Sequence, residues 1–106
     1  MKRTNLGEFE ELVLLIVAIL SQGAYAVSVK AEMDMHTKRQ VKISSIHLAL
    51  YRLEDKGYLS SEFGGATAER GGRRKRYFKI TRQGRIVLAS TKELRNYLWE
   101  LIPEVS

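Results

Sequence analysis

The sequence predicts a mainly α-helical chain with one small β-hairpin, folded as a single structural unit. Three observations predict it. Four stretches carry helical apolar spacing or helix-end residues. Two short alternating stretches flank a loop rich in glycine and alanine. One segment concentrates positive charge: Arg70, Arg73, Arg74, Lys75, Arg76, Lys79, Arg82 and Arg85 follow one another with no acid between them. At 106 residues the chain is long enough for one domain.

The first helix is expected from about Gly7 to Gln22. Asn5 is its natural cap, with Glu8 three residues on in the manner of a capping box. Glu8, Glu10 and Glu11 suit the positive end of the helix dipole. Residues 12–20, "LVLLIVAIL", are apolar on every face, so this helix is central or shared between subunits. Gly23 ends it. A second helix, about Tyr25 to His36, aligns Tyr25, Val29 and Met33 at i, i+4 and i+8. The polar, basic "TKRQVK" then reads as a connection. In "SSIHLALYRLEDKG" Ser44 or Ser45 is the expected N-cap and Gly57 the residue just past the C-terminus. Ile46, Ala49, Leu50 and Leu53 form the buried stripe of this third helix.

Next come the strands. Leu59 and Phe63 alternate with Ser60 and Glu62, and Phe78 and Ile80 alternate with Tyr77 and Lys79. Thr81 caps a last helix, about Arg82 to Leu101, which Pro103 stops. On it Val87, Leu94 and Leu101 recur every seven residues, with Ser90, Tyr97 and Leu98 between them, a short coiled-coil-like seam. Helix, helix, helix, hairpin, helix is a winged helix-turn-helix over residues 1–81, followed by a C-terminal dimerisation helix over 82–106.

Composition narrows the function. Lys plus Arg outnumber Asp plus Glu by 18 to 12, and the excess is local: residues 8–11 read "EFEE" while 70–85 are basic. Such asymmetry points to a polyanionic partner met by one part of the surface. With no cysteine there is neither a disulfide nor a thiolate site, which suits a reducing cytoplasm. The longest apolar run falls well short of the roughly 20 residues that span a bilayer, and reads as a buried helix rather than a signal peptide. His36 and His47 lack metal-ligand spacing, no serine sits in a nucleophile elbow, and "ERGGRRK" lacks P-loop spacing. The expectation is a non-enzyme without metal or cofactor.

At 100° per residue, the face of the third helix opposite its buried stripe carries Ser44, Leu48, Tyr51 and Asp55, flanked by His47 and Arg52. Its N-terminal half is neutral or cationic, and recognition helices enter the major groove by that end. Hydroxyls and imidazole bond base edges or phosphates, and a leucine can touch a thymine methyl. A basic hairpin placed just after this helix meets the same duplex. Gly71 and Gly72 allow close backbone approach to phosphate, and Arg70, Arg73, Arg74 and Lys75 near the wing tip supply the charge. The expected DNA-binding set is therefore Ser44, Ser45, His47, Leu48, Tyr51, Arg52 and residues 70–75 of the wing. Dimer contacts are expected from Val87, Leu94, Leu98 and Leu101 on the seam of the last helix and from Leu12, Leu15 and Ile16 on the all-round apolar first helix, with periodicity leaving open which packs on which. Trp99 reads as a tryptophan packed on the first helix; lining a pocket for a flat ligand is the competing role.

"LALYRLEDKGYL", "ERGGRRKRYFKITRQG" and "LGEFEELVLLIVAIL" together resemble the PadR family of transcriptional regulators over essentially the whole chain. The resemblance implies a dimeric repressor on a pseudo-palindromic operator, with the last helix packed on the partner's first helix. Members often carry Tyr-Pro where this chain has His47-Leu48, so the phosphate contact of that tyrosine passes to His47 or is absent. The chain is similar to the short-tailed members, some of which take flat aromatic molecules between tryptophans; Trp99 sits about one turn beyond that position. The partners so implied are double-stranded DNA and a second copy of the chain, with a small-molecule inducer left open and no membrane. The place of action is the nucleoid of the cytoplasm. The competing reading is a winged-helix module for protein–protein assembly, its basic wing meeting an acidic partner.

Overall fold

The computed structural model describes residues 6–64 and 74–104. Their order is α1 (Glu8–Leu20), a single 3-10 turn (Ser21–Gly23), α2 (Ala26–Thr37), α3 (Ile43–Asp55), β1 (Leu59–Gly64), β2 (Lys75–Ile80) and α4 (Arg82–Glu100). This is the mainly helical fold with one hairpin that the sequence predicts.

Three helices build the core because each turns one apolar stripe inward. Val13, Leu14, Ile16 and Val17 of α1 meet Val29 and Met33 of α2 and Ile46, Ala49, Leu50 and Leu53 of α3. Full burial of a leucine or isoleucine contributes roughly 2 kcal/mol each. The hairpin closes one side with Leu59 and Phe78, and α4 adds Val87. No buried side-chain nitrogen or oxygen among the described residues lacks a hydrogen-bond partner.

Helix ends follow local chemistry, not always that of the expected residues. Asn5 lies outside the described residues; α1 is capped at Gly7, whose carbonyl accepts from Glu11 N–H at 2.8 Å. The serine that organises the start of α2 is Ser28, whose Oγ accepts from Tyr25 N–H at 3.0 Å and donates to the Gly23 carbonyl at 2.7 Å. The N-cap of α3 is Lys42, not Ser44 or Ser45. The Lys42 carbonyl already accepts from Ser45 and Ile46 N–H, so both serines fall inside the first turn. The other end of α3 ends as expected. Gly57 takes φ +84°, Gly57 N–H bonds Glu54 O and Tyr58 N–H bonds Leu53 O, which is a Schellman motif.

Between α2 and α3, Asp34 holds the turn. It pairs with Lys30 and accepts from Val41 N–H at 3.0 Å, and Lys38 takes the left-handed conformation. The Lys30 hydrogen bond, then that of Val41 N–H, holds the Asp34 carboxyl below its usual range.

β1 and β2 pair antiparallel, Leu59 opposite Ile80 and Phe63 opposite Arg76. Phe63 does not turn into the core as the alternation predicts; it is exposed, opposite Arg76 near the outer end of the described hairpin. A backbone bond from Phe78 N–H to Ala24 O, 2.8 Å, anchors β2 to the segment before α2.

The junction into α4 explains the Thr-x-x-Gly pattern. Thr81 Oγ1 accepts from Gly84 N–H at 3.0 Å and donates to Gly57 O at 2.6 Å. Gly84 packs so closely that a Cβ there would lie 2.3 Å from the Tyr58 carbonyl oxygen. From Lys92 onward, every described residue of α4 is exposed, and the helix stretches the molecule to 63 × 33 × 20 Å. Arg95 ties it back to α1 through Glu11 at 2.9 Å.

Candidate nucleic-acid interface

Each candidate reader on α3 is exposed: Ser44, Ser45, His47, Leu48, Tyr51 and Arg52. The structure divides them between two flanks. Ser45, Leu48 and Arg52 line a groove with Gly7, Glu8, Phe9 and Glu10 at the start of α1. Acids there offset Arg52, and Glu10 also pairs with Lys56 at 2.6 Å. His47 and Tyr51 lie on the flank toward the wing. Their ring centres are 6.0 Å apart, and the Tyr51 ring is 6.4 Å from that of Phe78 on β2. The flank of α3 that carries Tyr51 and Glu54 thus adjoins the wing, and the flank that carries Arg52 adjoins the acids of α1.

A basic group missing from the expected set sits at the N-terminal end of α3. Lys38, Arg39 and Lys42 are exposed in the turn that leads into it, and the first turn of α3 holds no acid. Its leading N–H groups have no side-chain cap, so this end attracts anions through both dipole and charge. The sequence signal for it is "TKRQVK", three cations just before a helix start, whose polarity alone marks only a connection.

Arg70, Gly71, Gly72 and Arg73 lie outside the described residues. Arg74 is exposed just before β2, at the outer end of the described hairpin. Lys75 belongs to the strand face turned away from α3. Its ammonium lies 4.5 Å from the centre of the Tyr25 ring, and Tyr25 in turn stands edge-on to Tyr77 at 5.5 Å. Arg76 faces the other way and pairs with Glu54 of α3; spacing alone did not single it out.

The residues expected at a dimer interface separate as well. Ile16 and Val87 are buried in the chain's own core and offer no free surface, since α1 turns Ile16 inward and Val87 sits where α4 still touches the body. Leu12 is half-buried. Leu15 is exposed, and Leu94, Leu98 and Leu101 are exposed by 56 %, 50 % and 60 %. Leu94 and Leu98 share a groove with Leu6, Ser90, Thr91 and Arg95. Trp99 does not pack on α1 as expected; it stands 75 % exposed beyond that groove. Among the described residues no group of acids and histidines could hold a metal ion, and no helix is long and apolar enough to cross a membrane.

A helix-turn-helix whose third helix follows a cluster of cations and presents hydroxyl groups beside a two-stranded wing defines the winged-helix class of DNA-binding proteins. The sequence model of the Transcriptional regulator PadR-like family matches residues 14–90, and the chain belongs to that family. It is a DNA-binding transcriptional regulator and not an enzyme. Among solved structures, it is similar to a PadR family transcription regulator from Clostridium difficile, with a TM-score of 0.72, 21 % identity, and 90 % of this chain and 94 % of that one covered. A PadR-like transcriptional regulator from Bacillus cereus has a TM-score of 0.70 at 18 % identity, covering 87 % of this chain and 84 % of that one. Bacillus subtilis PadR, solved in complex with operator DNA, has a TM-score of 0.65 at 15 % identity over 92 % of this chain and 52 % of that one. No curated protein matches the chain.

Proposed function

We propose that the chain acts as a homodimeric repressor on a pseudo-palindromic operator, with α3 in the major groove and the basic wing on the backbone or minor groove. The observation that carries this reading is the charge arrangement around α3. Ser44, His47 and Tyr51 are exposed on α3, the cations Lys38, Arg39 and Lys42 lead into that helix and Arg74 leads into β2, while Glu54 on the wing side is paired with Arg76 and the acids of α1 line the opposite flank.

In this arrangement the cations and the open N-terminus of α3 hold phosphates and set the register. Ser44, His47 and Tyr51 are then presented to base edges or to the adjoining backbone. Leu48 is placed to touch a thymine methyl. Binding falls steeply with salt, because each neutralised phosphate releases counterions. In sequence, Arg70 and Arg73 add two further cations on either side of Gly71 and Gly72.

The second subunit is supplied by α4. Leu94, Leu98 and Leu101 present an apolar row that the chain does not cover, and Leu15 of α1 lies exposed on the neighbouring helix. Packing α4 against the partner's α1 and α4 buries both and repeats α3 about a two-fold axis. Occupying the operator excludes polymerase and represses. A complex of the similar Bacillus subtilis PadR with operator DNA supports the choice of partner. The place of action is the nucleoid of the cytoplasm. Any small-molecule inducer would have its effect by changing the angle between the two subunits.

Selection of random duplex DNA by the purified protein, followed by sequencing, tests the reading. The expected result is a two-fold symmetric consensus with half-sites roughly one helical turn apart. Weak, salt-sensitive binding without enrichment would overturn it in favour of an assembly role.

A further inference from the structure

Arg76 is one of eight cations in the basic segment, and its guanidinium is already engaged within the fold. Nη2 donates to Glu54 Oε1 at 2.7 Å, and Nε donates to Ser61 Oγ at 3.0 Å. Ser61 Oγ donates in turn to the other Glu54 oxygen, Oε2, at 2.7 Å. Arg76, Ser61 and Glu54 thus close a ring of hydrogen bonds that joins β2, β1 and α3. The same guanidinium lies over three aromatic rings, 5.0 Å from the centre of Tyr51, 5.4 Å from Phe78 and 5.9 Å from Phe63.

The spacing on α3 gives this cluster its meaning. Tyr51 and Glu54 are three residues apart and share one helix face. A single planar fork therefore bonds the carboxylate and supports the tyrosine ring beside it. Lysine could supply the charge but neither the fork nor the flat face. Arg76 and Glu54 also neutralise each other, so neither charge is offered to phosphate.

We infer that Arg76 is a positioning residue for DNA recognition: it fixes the wing against α3 and orients Tyr51, and does not itself contact the duplex. The inference rests on the reading above, that α3 and the wing share one duplex. The two DNA-facing elements then arrive as one preorganised body, and less ordering is left for the moment of binding.

A charge role and a positioning role predict opposite signs. If Arg76 served as a phosphate contact held back by Glu54, then Glu54→Gln would release it, remove a negative charge, tighten binding to every duplex and steepen the salt dependence. If Arg76 positions, Glu54→Gln weakens operator binding although it makes the protein more positive. Affinities of the full chain for its selected operator and for a scrambled duplex, measured across salt, distinguish the two. The expected loss for Glu54→Gln and for Arg76→Lys is about fivefold on the operator, since the pair is partly exposed. The salt slope stays unchanged and the scrambled duplex is bound as before. Tighter binding by Glu54→Gln, or operator binding by Arg76→Lys equal to wild type, overturns the proposal.

The wild-type protein provides a measurement free of folding defects. In 15N-labelled protein the Arg76 Nε–H signal, hydrogen-bonded and lying among three rings, is expected to stay in place when operator DNA is added. A large shift toward a phosphate-bound position overturns the proposal without any variant. A wild-type protein that binds no duplex would instead overturn the DNA reading itself, and the proposal with it.

Discussion

The body of the fold and α4 use the same residue types in opposite ways. Ile46, Leu50 and Leu53 on α3 are fully enclosed by α1, α2 and the hairpin. Leu94, Leu98 and Leu101 on α4 recur just as regularly, yet half or more of each is open to solvent. Both rows satisfy helical periodicity. What differs is the supply of opposing surface: a chain of this size has little left to cover a 19-residue helix after its core is closed. A periodic apolar row therefore predicts that something packs there, and only the three-dimensional arrangement says whether the chain itself provides it.

The contrast is most directly broken at α4. Leu94→Glu with Leu98→Glu is expected to yield monomers in analytical sedimentation at concentrations where the parent is dimeric, with the far-ultraviolet spectrum of the folded body retained. A dimeric double variant would remove α4 as the seam. In the body, Leu50→Ala is expected to cost about 3 kcal/mol in urea unfolding, independent of protein concentration. Leu98→Ala, by contrast, changes stability mainly through association, so its midpoint moves with concentration.

Smaller effects sharpen the picture on the DNA side. Arg74→Glu should weaken all duplexes alike and reduce the slope of log affinity against log salt by about one. An unchanged slope would mean that the outer end of the wing does not meet phosphate. The smallest effect belongs to Asp34. Its folded carboxyl titrates below its usual range because Lys30 and Val41 N–H bond the charged form. The resulting stability is present at pH above the ordinary carboxylate value of about 3.9 and is lost as pH falls through the lower folded value. Asp34→Asn should therefore flatten the acid limb of stability against pH, read as the urea midpoint across pH 2–5.

Much of the body was legible in the sequence because its signals are local. The stripe Ile46, Ala49, Leu50 and Leu53 is a matter of 3.6-residue spacing. Gly57 and Thr81 mark helix ends through their own backbone and side-chain chemistry, and the structure places them as expected. The start of α3 was less legible, because Ser44 and Ser45 satisfy a first turn as readily as they cap it. Ser28 and Asp34 organise their turns through bonds of three to seven residues' separation that no propensity announces.

For the candidate interface, the exposed face of α3 followed from periodicity. The division of that face did not, since it depends on where the acids of α1 come to rest. Nor did the roles of Lys75 and Arg76. Adjacent in sequence and alike in charge, they fall on opposite faces of β2, one over Tyr25 and the other against Glu54. Strand alternation separates them, but their partners lie 50 and 22 positions away along the chain and are set by packing.

The close seat of Gly84 against the Tyr58 carbonyl has a metrical consequence. It clamps the root of α4 to the turn between α3 and β1, so the direction of α4 is built into each subunit. A helix of 19 residues is about 28 Å long, and swinging it by about 10° carries its tip through about 5 Å. A base-pair step is about 3.4 Å. In the proposed dimer, α4 is thus a caliper arm whose angle sets the gap between the two recognition helices, and one missing methyl group at its pivot keeps the caliper calibrated.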